Sequence, residues 1–273
     1  MECVRTMNEP IRKITILPGK DKSGQSENFE PIDIEIGQSI AIVGNTGAGK
    51  SQLLYDIERL AQKDTKSSRL FLVNDKKPGK EIRFNPKRKL IASLSQSMHF
   101  LTDISVEDFL KLHLEARGKE QNPKIIAEVI NQANQITGEA ISATMNLLNL
   151  SGGQSRALMI ADVAIISDSP IILIDELENA GIKKEKAVEI LIKKNKIILI
   201  VTHDPSLALS TNKRLIIKNG GIVNVLDTTK QEHDIAHYLN WIESHNLKIR
   251  DKIRMGMEIK DVAIDCKKTK SGY

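Results

Sequence analysis

The chain has 273 residues, 40% of them hydrophobic and 27% charged, which is an ordinary composition for a folded globular protein. No apolar run approaches the roughly 20 residues that a membrane-spanning helix needs. The segment Met1–Lys13 lacks the apolar core of a secretory signal. The two cysteines, Cys3 and Cys266, lie near opposite ends and indicate neither a disulfide framework nor a metal site. We therefore expect a cytoplasmic protein.

The net charge of +5 is concentrated near one end of the sequence. Residues 246–273 carry eight lysines and arginines and four acids, a net charge of +4. This basic segment could contact acidic lipid headgroups or nucleic acid, or it could be a solvated tail. The rest of the chain is nearly neutral, so we expect no direct nucleic-acid binding.

The first half of the chain predicts strands on both sides of a glycine-rich loop. Apolar and β-branched runs predict strands at Ile11–Leu17, Ile32–Ile36, Ser39–Val43, Arg69–Asn74 and Leu90–Ser97. Apolar residues at three- and four-residue spacing predict a helix over Gln52–Leu60, directly after the loop. Two further helices are expected at 106–117 and 123–136, with Pro123 near the start of the second.

The second half alternates helices with buried strands. We predict helices at Ala157–Ile166, about 183–193 and Gln231–Arg254, strands at Pro170–Ile174 and Lys196–Val201, and two strands around a turn within Arg214–Val223. The alternation of strands and helices indicates an α/β fold with a parallel sheet.

The glycine-rich loop is the phosphate-binding pattern G-x-x-x-x-G-K-[ST], and we call residues 44–51 the phosphate loop. Its residues are Gly44, Asn45, Thr46, Gly47, Ala48, Gly49, Lys50 and Ser51. The glycines let consecutive backbone N–H groups point at one anion, and the following helix adds the positive end of its dipole. Lys50 is expected to reach the β- and γ-phosphates, and the Ser51 hydroxyl to join a Mg²⁺ shell.

Four more stretches stand in a fixed order after the phosphate loop. They are Gln96 at a strand end, Leu150-Ser151-Gly152-Gly153-Gln154, Ile171 to Glu176, and His203 after the next strand. Together they resemble an ATP-binding cassette (ABC) ATPase over about residues 11–226. The resemblance implies a P-loop NTPase with an ABC-type ATPase core, an antiparallel β subdomain and a helical subdomain at about 98–160, in a domain spanning 1–226. Residues 227–273 would then form a helical, basic C-terminal extension.

The resemblance also implies roles for the polar residues. Asp175 ends an apolar strand beside the phosphate loop and would hold Mg²⁺ with Ser51 and Gln96. Glu176 would polarise the attacking water, as a general base does. Gln96 would orient water and sense the γ-phosphate, and His203 would hydrogen-bond that phosphate. The implied cofactors are ATP and Mg²⁺.

Ser151, Gly152, Gly153 and Gln154 would form a second anion site that closes over the nucleotide of an opposite subunit. A hydroxyl and glycine N–H groups before a helix suit an anion. The implied assembly is a head-to-tail dimer, here a homodimer with two complete sites.

The chain departs from the family at two places near these motifs. Many members stack the adenine on an aromatic residue about 25 residues before the phosphate loop. Here Ile14–Pro18 contains none, and Phe29 is too close, so we expect weak discrimination between bases. After Glu176 the family usually continues Pro-x-Ser-Ala-Leu-Asp, whereas this chain has Asn179 and Ile182 at the serine and final acid.

Three functions are open at this point. The first is the ATP-hydrolysing subunit of an ABC transporter, peripheral at the inner face of the membrane, with a separate permease contacted through residues 97–110. The second is a soluble ATPase that powers assembly or remodelling of a cofactor or protein complex. The third is a nucleotide-gated regulator with little turnover, which Glu176 argues against.

Overall fold

A computed structural model of the chain describes residues 9–84, 89–95, 99–176 and 182–259. The strands are β1 Lys13–Leu17, β2 Ile32–Glu35, β3 Ser39–Val43, β4 Leu70–Val73, β5 Ile91–Leu94, β6 Ile171–Asp175, β7 Ile197–Val201, β8 Lys213–Lys218 and β9 Gly221–Asp227. The helices are α1 Lys50–Glu58, α2 Lys80–Phe84, α3 Val106–Ala116, α4 Pro123–Ile136, α5 Gly152–Ile165, α6 Lys184–Lys193, α7 Pro205–Leu209 and α8 Lys230–Arg254.

The strands form two sheets. A six-stranded sheet has the order β5-β6-β7-β3-β8-β9, and a three-stranded sheet has the order β2-β1-β4. Strands β5, β6, β7, β3 and β8 run parallel, β9 is antiparallel to β8, and the small sheet is antiparallel throughout. Because β3, β6 and β7 are parallel, the segments that follow them meet at one edge of the large sheet.

The order of the strands refines one expectation. The strand that ends at Asp175 is not the immediate neighbour of β3, because β7 lies between them. Asp175 pairs in register with Val201, and Val201 pairs in turn with Ile42 at the end of β3. The edge therefore presents the phosphate loop and the polar residues after β7 and β6 side by side.

The large sheet separates two hydrophobic cores. On one face Ile172 and Ile174 of β6 pack with α3, α4, α5 and α6. On the other face Ile171 and Leu173 pack with α1 and the three-stranded sheet. Burial on both faces explains why β6 and β7 are continuous apolar runs rather than alternating ones.

The predicted helices are present, with one substantial shift in a boundary. Helix α4 has the predicted bounds, and α8 begins one residue earlier than predicted. Helix α5 begins at Gly152, five residues before the predicted start, because Ser151 caps it. The short helices α2 and α7 were not predicted. Among the residues that the structure describes, no helix combines the length and apolar character needed to span a bilayer.

Candidate active site

The phosphate loop is held tightly against the turn between β8 and β9. Gly49 caps α1 with a φ of 104°, and a Cβ there would lie 2.5 Å from the Cα of Gly220. A Cβ on Gly44 would lie 2.5 Å from the carbonyl oxygen of Ile217. The N–H of Gly220 donates to the carbonyl of Ala48 at 2.6 Å. Glycine is therefore required at Gly44 and Gly49 by close backbone approach and, at Gly49, by a left-handed conformation as well.

Two lysine ammonium groups lie on the phosphate loop. Lys50 Nζ donates to the carbonyls of Gly44 at 2.7 Å and Asn45 at 3.2 Å. Lys22, from the loop after β1, donates to the carbonyl of Gly47 at 2.8 Å. With the N–H groups at the start of α1, these ammonium groups have the chemistry that suits an anion. Lys22 was not found from the sequence, because an isolated lysine in a polar loop carries no signal.

A buried charge network lies behind the phosphate loop. Arg69 is fully buried and bonds to Asp56 of α1 at 2.8 Å and to Glu27 at 2.6 Å. It also donates to the carbonyl of Gly220 at 2.6 Å. Arg69 thus connects α1, the loop between β1 and β2, and the turn that supports the phosphate loop.

Three predicted catalytic and phosphate-binding side chains lie together at the sheet edge. His203 Nε2 is 3.1 Å from Lys50 Nζ and 3.8 Å from Glu176 Oε1. Because an ammonium can only donate, the imidazole Nε2 accepts from Lys50 in this arrangement. Glu176 has a φ of 53°, and its N–H donates to the carbonyl of Val201 at 3.0 Å. Glu176 thus lies in the left-handed region directly after the last β6–β7 pair, Asp175 with Val201.

Asp175 lies at the end of β6 beside a small cleft. The cleft is lined by Leu94, Ser95, Arg156, Met159, Ile160, Asp175 and Glu176. Ser95 immediately precedes Gln96, which lies outside the described residues. Arg156, two residues after the Leu-Ser-Gly-Gly-Gln motif, therefore lines the same cleft as Asp175 and Glu176.

The Ser151–Gln154 segment forms a capping box at the start of α5. The N–H of Gln154 donates to Ser151 Oγ at 3.2 Å, and the N–H of Ser151 donates to Gln154 Oε1 at 2.9 Å. The amide group of buried Gln154 also donates to the carbonyl of Ala140 at 3.0 Å. Gln154 therefore shapes the turn, whereas Ser151 and Gly152 are exposed at the helix start.

From Ile182 onward the chain lies against the end of α4. Residues 177–181, including Asn179, lie outside the described residues. Ile182 is buried and bridges to Thr137, and the N–H of Lys183 donates to the carbonyl of Ile136 at 2.8 Å. Burial among apolar residues gives a physical reason for Ile182 where the family has an acid.

Phe29, partly buried, packs on the core around the three-stranded sheet.

A lysine at the start of α6 joins the turn of His203 to α8. Lys184 Nζ bonds to Asp204 at 2.5 Å and to Glu243 at 3.0 Å. Burial acts to lower the pKa of Lys184, but hydrogen bonds to the two acids outweigh it and raise the pKa. Burial acts to raise the pKa of Asp204, but hydrogen bonds from Lys184 and Ser206 outweigh it and lower the pKa. The partners are 20 and 59 residues from Lys184, so no sequence pattern could pair them.

The chain is similar to known proteins of one family. The family model described as ABC transporter matches residues 31–179, more than half of the chain. An uncharacterized ABC transporter ATP-binding protein of Methanocaldococcus jannaschii is 50% identical over 246 residues, which cover 90% of this chain and 94% of that protein. The macrolide export ATP-binding/permease protein MacB of Psychrobacter arcticus is 26% identical over 257 residues, or 87% of this chain and 37% of that protein.

The fold is also that of a solved structure. The chain resembles an ATP-binding subunit of an ABC transporter with a TM-score of 0.59 and 16% identity, over 84% of this chain and 98% of that one. The predicted α/β fold with a P-loop ABC core is confirmed. The chain therefore belongs to the ABC transporter family, as one of its ATP-binding ATPase members.

Proposed function

We propose that the sheet edge binds ATP with Mg²⁺ and hydrolyses it to ADP and phosphate, in a subunit that drives a separate membrane permease. The observation that carries the proposal is the convergence of Lys50, His203 and Glu176, with contacts of 3.1 and 3.8 Å. These side chains come from three segments of the chain, and each has the chemistry that one part of phosphoryl transfer needs.

The residues divide the work as follows. The phosphate loop N–H groups hold the phosphate chain, and Lys50 exchanges its bonds to the carbonyls of Gly44 and Asn45 for phosphate oxygens. Glu176 accepts a proton from the water whose oxygen attacks the γ-phosphorus. As that bond forms, the bond from phosphorus to the bridging oxygen breaks, and ADP keeps the electron pair. His203 donates to the γ-phosphate oxygens once its Nε2 carries a proton.

The donor set at the edge fits Mg²⁺. Ser51 is exposed at the start of α1, and the Asp175 carboxylate lies at the end of β6. A hydroxyl and a carboxylate are the hard oxygen ligands that Mg²⁺ prefers, and Gln96 would add an amide oxygen. Bound Mg²⁺ would neutralise charge on the β- and γ-phosphates.

A head-to-tail homodimer would complete the site. Exposed Ser151 and Gly152 at the start of α5 offer a hydroxyl and free N–H groups to an anion. Since Ser151 accepts from Gln154 in the capping box, its own proton remains available for a phosphate oxygen of the nucleotide on the opposite subunit.

The permease partner is proposed from the relatives. MacB carries an ATP-binding and a permease function in its name, and this chain spans only 37% of its length. We propose a separate permease that places this subunit at the inner face of the membrane. The contact would include the start of α3 within residues 97–110, of which 97 and 98 lie outside the described residues.

The test is to purify the native complex in mild detergent and identify what accompanies the chain. A polytopic membrane protein that co-purifies with wild type, and remains with Glu176→Gln, supports the proposal. Soluble partners alone, with the chain in the cytosolic fraction, would instead favour a remodelling ATPase.

A further inference from the structure

Helix α8 is anchored to the body of the protein on one side. Ala236 is buried, Glu232 bonds to Arg214 at 2.6 Å, and α8 packs along α7. Two further contacts reach neighbouring residues at the start of α6: Asn240 bonds to Glu185, and Glu243 bonds to Lys184. The second of these continues toward the active site, because Lys184 also contacts Asp204.

That continuation passes through Asp204, the residue after His203. Lys184 Nζ lies 2.5 Å from Asp204 Oδ2, and both side chains are largely buried at 14% and 12% exposure. The other oxygen, Oδ1, accepts from the N–H of Ser206 at 2.8 Å and so caps α7. Each oxygen of Asp204 thus has its own partner, so a shift of Lys184 acts on the turn that carries His203.

The backbone of the turn is tied to its neighbours on both sides, since the N–H of Thr202 donates to the carbonyl of Ile42 at 3.3 Å and the N–H of Ala208 donates to the carbonyl of Asp204 at 3.0 Å. The N–H of Asp204 donates to Thr202 Oγ1 at 3.0 Å, so the backbone folds tightly around His203. His203 is 45% exposed, so packing alone does not hold its ring at 3.1 Å from Lys50. Because Asp204 directly follows His203, a movement of Asp204 also moves the backbone that carries the imidazole.

We propose that Glu243 is a positioning residue for hydrolysis, acting through Lys184 and Asp204 on His203, so that α8 adjusts the turnover rate without contacting nucleotide. The proposal rests on the proposed function of the sheet edge. Glu243 neutralises part of the charge of Lys184 and sets its place at the start of α6. When Glu243 is lost, Lys184 keeps Asp204 as its acidic partner but is no longer tied to α8.

The test uses the full chain and compares two contacts between the same helices. Glu243→Ala breaks the path to His203, whereas Asn240→Ala breaks the adjacent contact to Glu185 and leaves the path intact. Because Glu243 is 45% exposed, its ion pair has the modest strength of a surface pair. We expect Glu243→Ala to lower kcat about threefold to fivefold with KM and ATP affinity unchanged. Glu243→Gln, which keeps an acceptor oxygen, should recover most of the rate, and Asn240→Ala should match wild type.

Hydrogen exchange gives a readout independent of turnover. The N–H groups of Ser206 and Leu207, which Asp204 caps, should exchange faster in Glu243→Ala than in Asn240→Ala. Equal exchange in the two variants, an unchanged kcat, or an equal fall of kcat in Asn240→Ala would each overturn the proposal. A wild-type chain without any turnover would instead overturn the proposed function, and the positioning role with it.

Discussion

Removal of Arg69 should be among the most damaging single changes in the protein. Its guanidinium is fully buried, and Glu27 and Asp56, with 1% and 0% exposed side chains, are its partners. Arg69→Met keeps most of the side-chain volume but leaves two buried carboxylates without their counter-charge. Breaking a buried ion pair by removing one partner costs about 3–5 kcal/mol. This is a large share of the roughly 5–15 kcal/mol by which domains are stable.

The loss should reach the phosphate loop as well. Arg69 holds the carbonyl of Gly220, and the N–H of Gly220 holds the carbonyl of Ala48, each at 2.6 Å. Arg69→Met should therefore weaken ATP binding even under conditions in which the variant is folded. Arg69→Lys keeps the charge but loses the forked geometry, so it should lie between wild type and Arg69→Met.

Urea unfolding measures the stability, and a fluorescent ATP analogue measures the binding. The control is the triple variant Arg69→Met, Glu27→Gln, Asp56→Asn, which removes the stranded charges and should regain part of the stability. The urea dependence of the unfolding free energy should stay constant if all variants unfold in the same way. A loss below about 1 kcal/mol for Arg69→Met, or a triple variant less stable than the single one, would show that the buried ion pairs of Arg69 do not stabilise the fold in this way.

Four further predictions concern nucleotide binding and stability. Lys22→Met should weaken binding of the ATP analogue about threefold, because a charge-assisted bond to phosphate is lost. The control Lys66→Met, at an exposed lysine, should leave this binding unchanged. The wild-type chain should bind ATP and GTP with similar affinity. Phe29→Ala should lower stability by about 1–3 kcal/mol yet leave ATP affinity unchanged, and a collapse of binding would show that Phe29 contacts the base. The lowered pKa of Asp204 means that its charge adds stability above about pH 3.8, which is lost as the pH falls through the folded pKa. The free energy of unfolding of Lys184→Met in urea should therefore differ most from that of wild type above that pH. A difference in unfolding free energy that stays constant down to pH 2.5 would contradict this.

The parts of the fold predicted from the sequence are those with a local signal. The phosphate loop has a fixed spacing, and β6 and β7 are short runs of aliphatic residues. The same runs conceal which side chain faces which core, because Ile171 and Ile172 are both fully buried on opposite faces. The start of α5 was placed too late because glycines count against a helix, whereas here Ser151 and Gln154 cap it.

The parts that the sequence did not reveal depend on distant partners. Arg69 and Glu27 are 42 residues apart, and Lys184 and Glu243 are 59 residues apart. Periodicity reports only neighbours along the chain, so a buried arginine looks the same as a solvated one. The predicted roles of the site residues, and the division into 1–226 and 227–273, stay predictions. The role of Gln96, which lies outside the described residues, is one of these predictions.

The proposed role of Glu176 is tested by the mass of the Glu176→Gln variant in solution, measured by light scattering with and without ATP and Mg²⁺. If Glu176 accepts the proton of the attacking water, the variant binds ATP but cannot hydrolyse it. The ATP-bound dimer therefore does not separate. We expect a particle of twice the mass of the 30.4 kDa chain with ATP, and a monomer both without ATP and when Lys50→Ala is added. A variant that binds ATP and stays at 30.4 kDa, or that dimerises equally without ATP, would contradict this role of Glu176.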